Sequence, residues 1–214
     1  MSVRRLPVYI VADCSGSMAG DPIESVKSGI RALHSELMGD PSAVESAFLS
    51  VITFDSSARQ IVPLTELASF NPPDLTAGGT TALGAALKTL MSCIDTEVRK
   101  TTGEQKGDWK PLIFLLTDGN PTDSWQAAAD EMKSRRPGNV IAVACGESMD
   151  TSVLKSLSET VLIMKDLSPA AFSAFFKWVS DSIIKTSAKC GPQPGAVPGG
   201  VTLPPPPPQI TIVP

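Results

Sequence analysis

The sequence predicts a doubly wound α/β domain. It has a mostly parallel sheet with one antiparallel edge strand and helices on both faces. Three observations carry this. Short apolar runs alternate with helical patterns for most of the chain. The run Leu112 to Leu116 is continuously apolar, as a central parallel strand buried on both faces must be. Two neighbouring runs, Ala47 to Phe54 and Arg59 to Pro63, are separated only by Asp55-Ser56-Ser57-Ala58, which makes them a hairpin and supplies the antiparallel edge.

In chain order, Leu6 to Ala12 reads as the first buried strand. Asp21-Pro22 opens a helix, since proline suits the first helical position. Ile23, Val26, Ile30, Leu33 and Leu37 recur at helical spacing on one face, and Gly39-Asp40-Pro41 ends the helix. After the hairpin, Leu64 to Gly79 reads as a proline-containing loop. A second helix carries Leu83, Leu87, Leu90, Ile94 and Val98, and a polar surface loop spans Thr101 to Asp108. Beyond the central strand, Ser124 to Arg135 is helical, with Asp123 as its expected cap. Val140 to Cys145 is a strand, Thr151 to Leu157 a short helix and Val161 to Met164 a further strand. Ser168-Pro169 opens the last helix, whose apolar face holds Phe172, Phe175, Phe176, Val179 and Ile183.

This gives a domain over residues 1–186 and a distinct tail over 187–214. From Ser187 onward there are nine prolines, five of them consecutive at Pro204 to Pro208. Such a segment builds no core of its own and is expected to be extended, partly polyproline II, or disordered. Its end, Ile210-Thr211-Ile212-Val213, alternates as a short strand does, and could pair with a sheet edge of this chain or of a partner.

Composition narrows the function classes. A net charge of −4 and the lack of any long Lys/Arg run argue against nucleic-acid binding. The apolar stretch after Arg4 and Arg5 ends at Asp13, too short for a secretory core or a membrane span, so a cytoplasmic protein is expected. Cys14, Cys93, Cys145 and Cys190 lack zinc-ligand spacing, and the single histidine, His34, falls on the first helix. Buried, reduced thiols fit this pattern.

Open α/β sheets bind ligands beyond the carboxyl ends of their strands. The first strand is followed by Asp13-Cys14-Ser15-Gly16-Ser17, and the central strand by Thr117-Asp118-Gly119. Gly78-Gly79-Thr80-Thr81 precedes the Leu83 helix, so all three segments fall at one sheet edge. In a near-extended loop Asp13, Ser15 and Ser17 project to one side, and Gly16 lets the backbone curl. Two carboxylates with hydroxyl oxygens suit a hard divalent cation: Mg²⁺ first, Mn²⁺ or Ca²⁺ as alternatives. Each segment alone reads equally well as helix capping or loop chemistry. The three together point to a metal site.

Asp13-x-Ser15-x-Ser17, Gly79-Thr80 and Thr117-Asp118-Gly119 resemble the metal-ion-dependent adhesion site (MIDAS) of von Willebrand factor A (VWA) domains, a Rossmann-like family. The resemblance runs from Val8 to about Ile184. It implies that Asp13, Ser15, Ser17, Thr80 and Asp118 surround the ion, with Thr81 the alternative to Thr80. It also implies that the ion docks a protein partner through an acidic side chain.

Further segments resemble the bacterial TerY-type tellurite-resistance proteins. These are Arg4-Arg5-Leu6-Pro7-Val8, Val51-Ile52-Thr53-Phe54-Asp55-Ser56, Gly107-Asp108-Trp109-Lys110-Pro111 and Thr117-Asp118-Gly119-x-Pro121-Thr122-Asp123. This second resemblance implies cytoplasmic stress signalling beside a Ser/Thr protein kinase and a PP2C-type phosphatase. Some members of that family add a metal-binding C-terminal module, where this chain has its proline-rich tail.

Catalytic alternatives lack their residues. A phosphatase of the Asp-x-Asp type needs a second acid where Ser15 stands, Gly78-Gly79-Thr80-Thr81 lacks the phosphate-loop lysine, and Ser17 is in no Gly-x-Ser-x-Gly turn. A metal-dependent phosphohydrolase is the remaining enzymatic reading, since an open metal site activates water. As a third class, Thr101, Thr102 or Thr122 could accept phosphate from a partner kinase.

Overall fold

A computed structural model of the chain describes residues 4–146, 150–189 and 203–213. Its centre is one sheet of seven strands in the order β3-β2-β1-β4-β5-β6-β7. The strands are β1 (Leu6–Asp13), β2 (Ala47–Phe54), β3 (Ala58–Glu66), β4 (Leu112–Thr117), β5 (Asn139–Cys145), β6 (Thr160–Met164) and β7 (Ile210–Ile212). The strands from β2 to β6 pair in parallel, while β3 and β7 run antiparallel at the two edges. The expected antiparallel edge is therefore present, and the chain's last strand adds a second one.

β1 is buried along its whole length and divides its side chains between two cores. Val8, Ile10 and Ala12 point into one core, with Ile30, Leu33, Phe172, Phe175 and Ile183. Tyr9 and Val11 point into the other, with Leu87, Leu90, Ala129 and Leu154. Helices α1 (Asp21–Met38) and α6 (Pro169–Ser187) cover the first face. Helices α3 (Leu83–Glu97), α4 (Gln126–Arg135) and α5 (Thr151–Leu157) cover the second. This is the two-faced burial that period-2 alternation in a central strand requires.

Three elements depart from the sequence expectation. A short helix α2 (Pro41–Ser46) follows α1, its first turn capped by the Asp40 side chain on the Ala43 N–H at 2.9 Å. The stop signal Gly39-Asp40-Pro41 thus also opens a new helix, which proline after an Asp cap permits. β3 extends to Glu66, past Pro63, and its pairing with β2 is irregular at that point. An edge strand tolerates a missing N–H there. The second core-facing helix ends at Glu97, leaving Val98 as its cap.

The described part of the tail packs against the domain. Trp178 Nε1 donates to the Pro204 carbonyl at 2.9 Å, and Ile210 is buried. β7 then runs antiparallel to β6, with Ile210 opposite Met164 and Ile212 opposite Leu162. Cys14, Cys93 and Cys145 are buried free thiols; Cys190 lies outside the described residues. None of the described helices is long and apolar enough to cross a membrane.

Candidate metal centre

The first strand ends at Asp13, and the chain turns at once. The Asp13 carboxylate accepts from the Ser15 N–H at 2.8 Å and from the Thr117 hydroxyl at 2.6 Å. The first bond curls the loop back over its own aspartate. The second ties the ends of β1 and β4 together. Ser15 Oγ lies 3.0 Å from Ser17 Oγ, and the Ser17 hydroxyl donates to Asp118 Oδ1 at 2.8 Å. Asp13, Ser15, Ser17 and Asp118 therefore form one continuous hydrogen-bonded set that joins two strand ends.

The second loop is laid against the first by its backbone. Gly16 N–H donates to the Gly79 carbonyl at 3.1 Å, and Gly78 N–H to the Cys14 carbonyl at 2.8 Å. Gly79 has φ of 74°, and a Cβ there would meet Ser56 Oγ at 2.5 Å. Glycine is required at this position twice over, by conformation and by space. The adjacent Thr80 is exposed and turned to Ser56, whose Oγ accepts from Thr80 N–H at 3.1 Å and lies 3.3 Å from Thr80 Oγ1. Thr80 thus sits in the loop beside the network without bonding to its four members. Thr81 is buried and faces the third loop: its N–H donates to Thr122 Oγ1 at 3.1 Å, and a Cβ at Gly119 would lie 3.1 Å from its hydroxyl.

Two contacts at the candidate site were not expected from the sequence. Thr117 holds Asp13, although its motif was recognised only for Asp118. Ser56, from the β2–β3 turn, bonds Thr80; it closes one of the segments quoted for the second resemblance, but its sequence position assigns it no role at the site. One assignment is corrected. Asp123 does not cap the helix that follows it; its carboxylate accepts from the Gly84 and Ala85 N–H groups at 2.9 and 3.0 Å, capping α3.

Electrostatics set the two acids apart. Asp13 is fully buried, and burial raises its carboxyl above the usual range against the pull of the Thr117 and Ser15 hydrogen bonds. Burial likewise raises Asp118, opposed by the Ser17 hydroxyl. Among the described residues no ion pair involves either acid. Two desolvated carboxylates bridged by hydroxyls, with no side-chain cation beside them, fit a hard divalent ion, whose charge would offset both. Ser17 is exposed, so the set is open on one side. No group of three or more His, Cys, Asp and Glu among the described residues forms a rival metal site. His34 lies instead 2.9 Å from the Leu67 carbonyl and packs near the Phe70 ring. Cys14 is buried in the core, its thiol pushed up to about 12 by burial and by Asp13.

A doubly wound sheet whose β1 and β4 ends carry Asp-x-Ser-x-Ser and Thr-Asp-Gly defines a class of protein. The family model of the von Willebrand factor type A domain matches residues 8–170, and the chain belongs to that family. Solved structures agree in fold. Proximal thread matrix protein 1 from the mussel byssus superposes with a TM-score of 0.61 at 18% identity, over 84% of this chain and 48% of that one. A further structure of that protein is described as having a zinc-occupied MIDAS motif, with a TM-score of 0.58, 18% identity, and coverage of 84% and 48%. A von Willebrand factor type A protein from Catenulispora acidiphila gives 0.60 at 20% identity, over 85% and 43%. The pilus adhesin SpaC from Lactobacillus rhamnosus GG, in an open conformation, gives 0.66 at 15% identity, over 87% and 31%. The chain thus spans less than half the length of each of these structures. No curated protein matches the chain by sequence.

Proposed function

We propose that this chain is a metal-dependent protein-binding module that docks an acidic side chain of a partner through a divalent cation. The observation that carries it is the Asp13–Ser15–Ser17–Asp118 network: two desolvated acids, bridged by hydroxyls and open at Ser17. Asp13, Ser15, Ser17, Thr80 and Asp118 would hold the ion, with Thr81 as the alternative to Thr80. The all-oxygen donor set favours Mg²⁺, with Mn²⁺ and Ca²⁺ as alternatives. The bound ion supplies Lewis acidity toward a carboxylate. The protein's own share is to fix the loops: Asp13 is held by Thr117, and Gly79 presses its loop onto Gly16.

We favour docking over hydrolysis because both carboxylates, Asp13 and Asp118, are placed to hold the ion, and among the described residues no imidazole or free thiolate stands beside them as a base. The one imidazole is engaged at Leu67, and the neighbouring thiols Cys14 and Cys145 are buried with raised pKa values. Partner capture is measured with wild type, with Asp13→Ala and after chelation. Loss of capture in both treatments is the expected result, and capture that persists without metal overturns the reading. Phosphatase turnover with added Mn²⁺ that disappears in Asp13→Ala would favour a metal-dependent phosphohydrolase instead.

The setting we propose is bacterial, cytoplasmic tellurite-resistance or stress signalling, with a Ser/Thr kinase and a PP2C-type phosphatase as candidate partners and no role for nucleic acid or membrane. The segments resembling TerY-type proteins support it, and the net charge of −4 speaks against nucleic acid. Thr101, Thr102 and Thr122 are exposed and would be accessible to such a kinase. Co-purification followed by mass spectrometry, with phosphosite mapping, tests this setting separately from the metal chemistry.

A further inference from the structure

A second concave site lies at the opposite end of the sheet from the metal centre. Lys110, two residues before β4, the first residue of β5 and the first residue of β6 all border it, whereas Asp13 and Thr117 close β1 and β4 at their far ends. The cleft has a volume of about 490 Å³, within the range of about 300–1,000 Å³ common for small-molecule sites. Its charge is the notable feature. Lys110, Lys133, Arg136 and Lys155 line it against a single acid, Glu159, on a protein whose net charge is −4. These cations come from three separate segments: the entry to β4, the end of α4 and the last turn of α5. Among the described residues none of the four appears in an ion pair.

Helix ends account for part of this. Lys133 and Lys155 stand in last turns, where a cation offsets the carbonyl dipole. That reasoning reaches Arg136, which caps the end of α4, but leaves Lys110 outside it. Arg136 is the one non-glycine residue with positive φ among those described, at φ 47° and ψ 55°. It fills the position after a helix where glycine is the unstrained choice. A long cationic side chain is kept there at a conformational cost, and it borders the cleft. Asn139 adds an amide to the same wall.

We infer that this cleft binds a small phosphorylated anion of the diphosphate or phosphate-ester class, independently of the metal centre. Four Lys and Arg side chains on the rim of one cleft match an anion with several oxygens and more than one charge. The cleft is half open, and its volume suits a small molecule rather than a chain segment.

The test is calorimetric titration of inorganic pyrophosphate into the metal-free protein, in chelator, at low salt. Wild type binds with one site. Arg136→Gly removes the charge while relieving the left-handed strain, so it weakens binding by about tenfold or more, without lowering Tm. Lys133→Gln weakens binding as well. Lys177→Gln, on the far helix α6, and Asp13→Ala leave it unchanged. Absence of binding in wild type overturns the inference. So does equal weakening by Lys177→Gln, which would mean general electrostatics, or loss in Asp13→Ala, which would put the anion at the metal loops. Because the titration is metal-free, its outcome is separate from that of the docking reading.

Discussion

The carboxylate of Asp123 accepts the backbone N–H of Gly84 at 2.9 Å, so the loop after β4 caps the helix that follows the Gly78–Thr81 loop. Its second oxygen takes the Ala85 N–H at 3.0 Å, and Thr122 N–H donates to the Thr81 carbonyl at 2.9 Å. Two of the three site loops are therefore stitched together outside the site itself. Removing an N-terminal cap costs about 1 kcal/mol. Asp123→Ala is expected to lower Tm by roughly 2–4 °C, and to weaken divalent-ion affinity without deleting a ligand. Thermal melts and ion titration on the same variant check both halves.

Metal linkage gives a second expectation. Asp13 and Asp118 are desolvated and unpaired by any cation among the described residues, so an ion bound only by the folded state stabilises it. At a concentration one hundred times Kd the gain is about 2.7 kcal/mol. For a domain of this size that corresponds to an increase in Tm of roughly 5–10 °C on adding Mg²⁺. Asp13→Asn keeps the shape and loses the ion-dependent increment. A wild-type melt unchanged by Mg²⁺, Mn²⁺ and Ca²⁺ alike would remove the metal site.

Where apolar periodicity and strand ends carry the information, the sequence reading and the structure coincide. β1, β4 and the apolar faces of α1 and α6 are examples, because burial on both sides of a parallel sheet writes itself as continuous apolar runs. That Asp13, Ser15, Ser17 and Asp118 would meet at one sheet edge was legible, because Asp13 closes β1 and the others follow the ends of β1 and β4. Less legible were contacts that depend on how loops lie across one another. Asp123 sits directly before α4, where local sequence favours capping that helix, yet the fold brings the α3 N-terminus within reach and the tertiary partner wins. Ser56 bonds Thr80 across 24 positions, a distance over which no periodicity speaks. Whether Thr80 or Thr81 belongs to the site is a register question of the same kind: Thr80 turns to Ser56, whereas the Thr81 side chain packs against Gly119.

The C-terminal strand should contribute to stability. Ile210 is buried against the core beside β6, and Trp178 Nε1 has the Pro204 carbonyl as its acceptor. Ile210→Asp would bury a carboxylate among the apolar residues of the core, or expel β7 from the edge. A loss of about 1–3 kcal/mol is expected, together with faster amide exchange in β6 and a red shift of tryptophan emission. An unchanged melt and unchanged exchange would mean that the strand rests on the surface without adding stability.

The tightest test of the packing is at Gly29, on the α1 face against α6. A Cβ placed there would lie 1.9 Å from Phe176 Cδ2 and 2.4 Å from Phe176 Cε2. Phe176 is itself almost wholly buried, and its ring stands edge-on to Phe175 at 5.2 Å between centroids. The ring therefore cannot retreat without disturbing a second aromatic, and the two helices must separate. Overpacking of this kind costs about 1–3 kcal/mol. In an exposed helix, by contrast, Gly→Ala gains up to about 1 kcal/mol from backbone entropy. Gly29→Ala is thus expected to destabilise despite its better helix propensity. Adding Phe176→Leu to Gly29→Ala should cost less than the sum of the two single changes, because the smaller side chain makes room for the methyl. Strict additivity in that double-mutant cycle would show that the strain does not arise between these two residues.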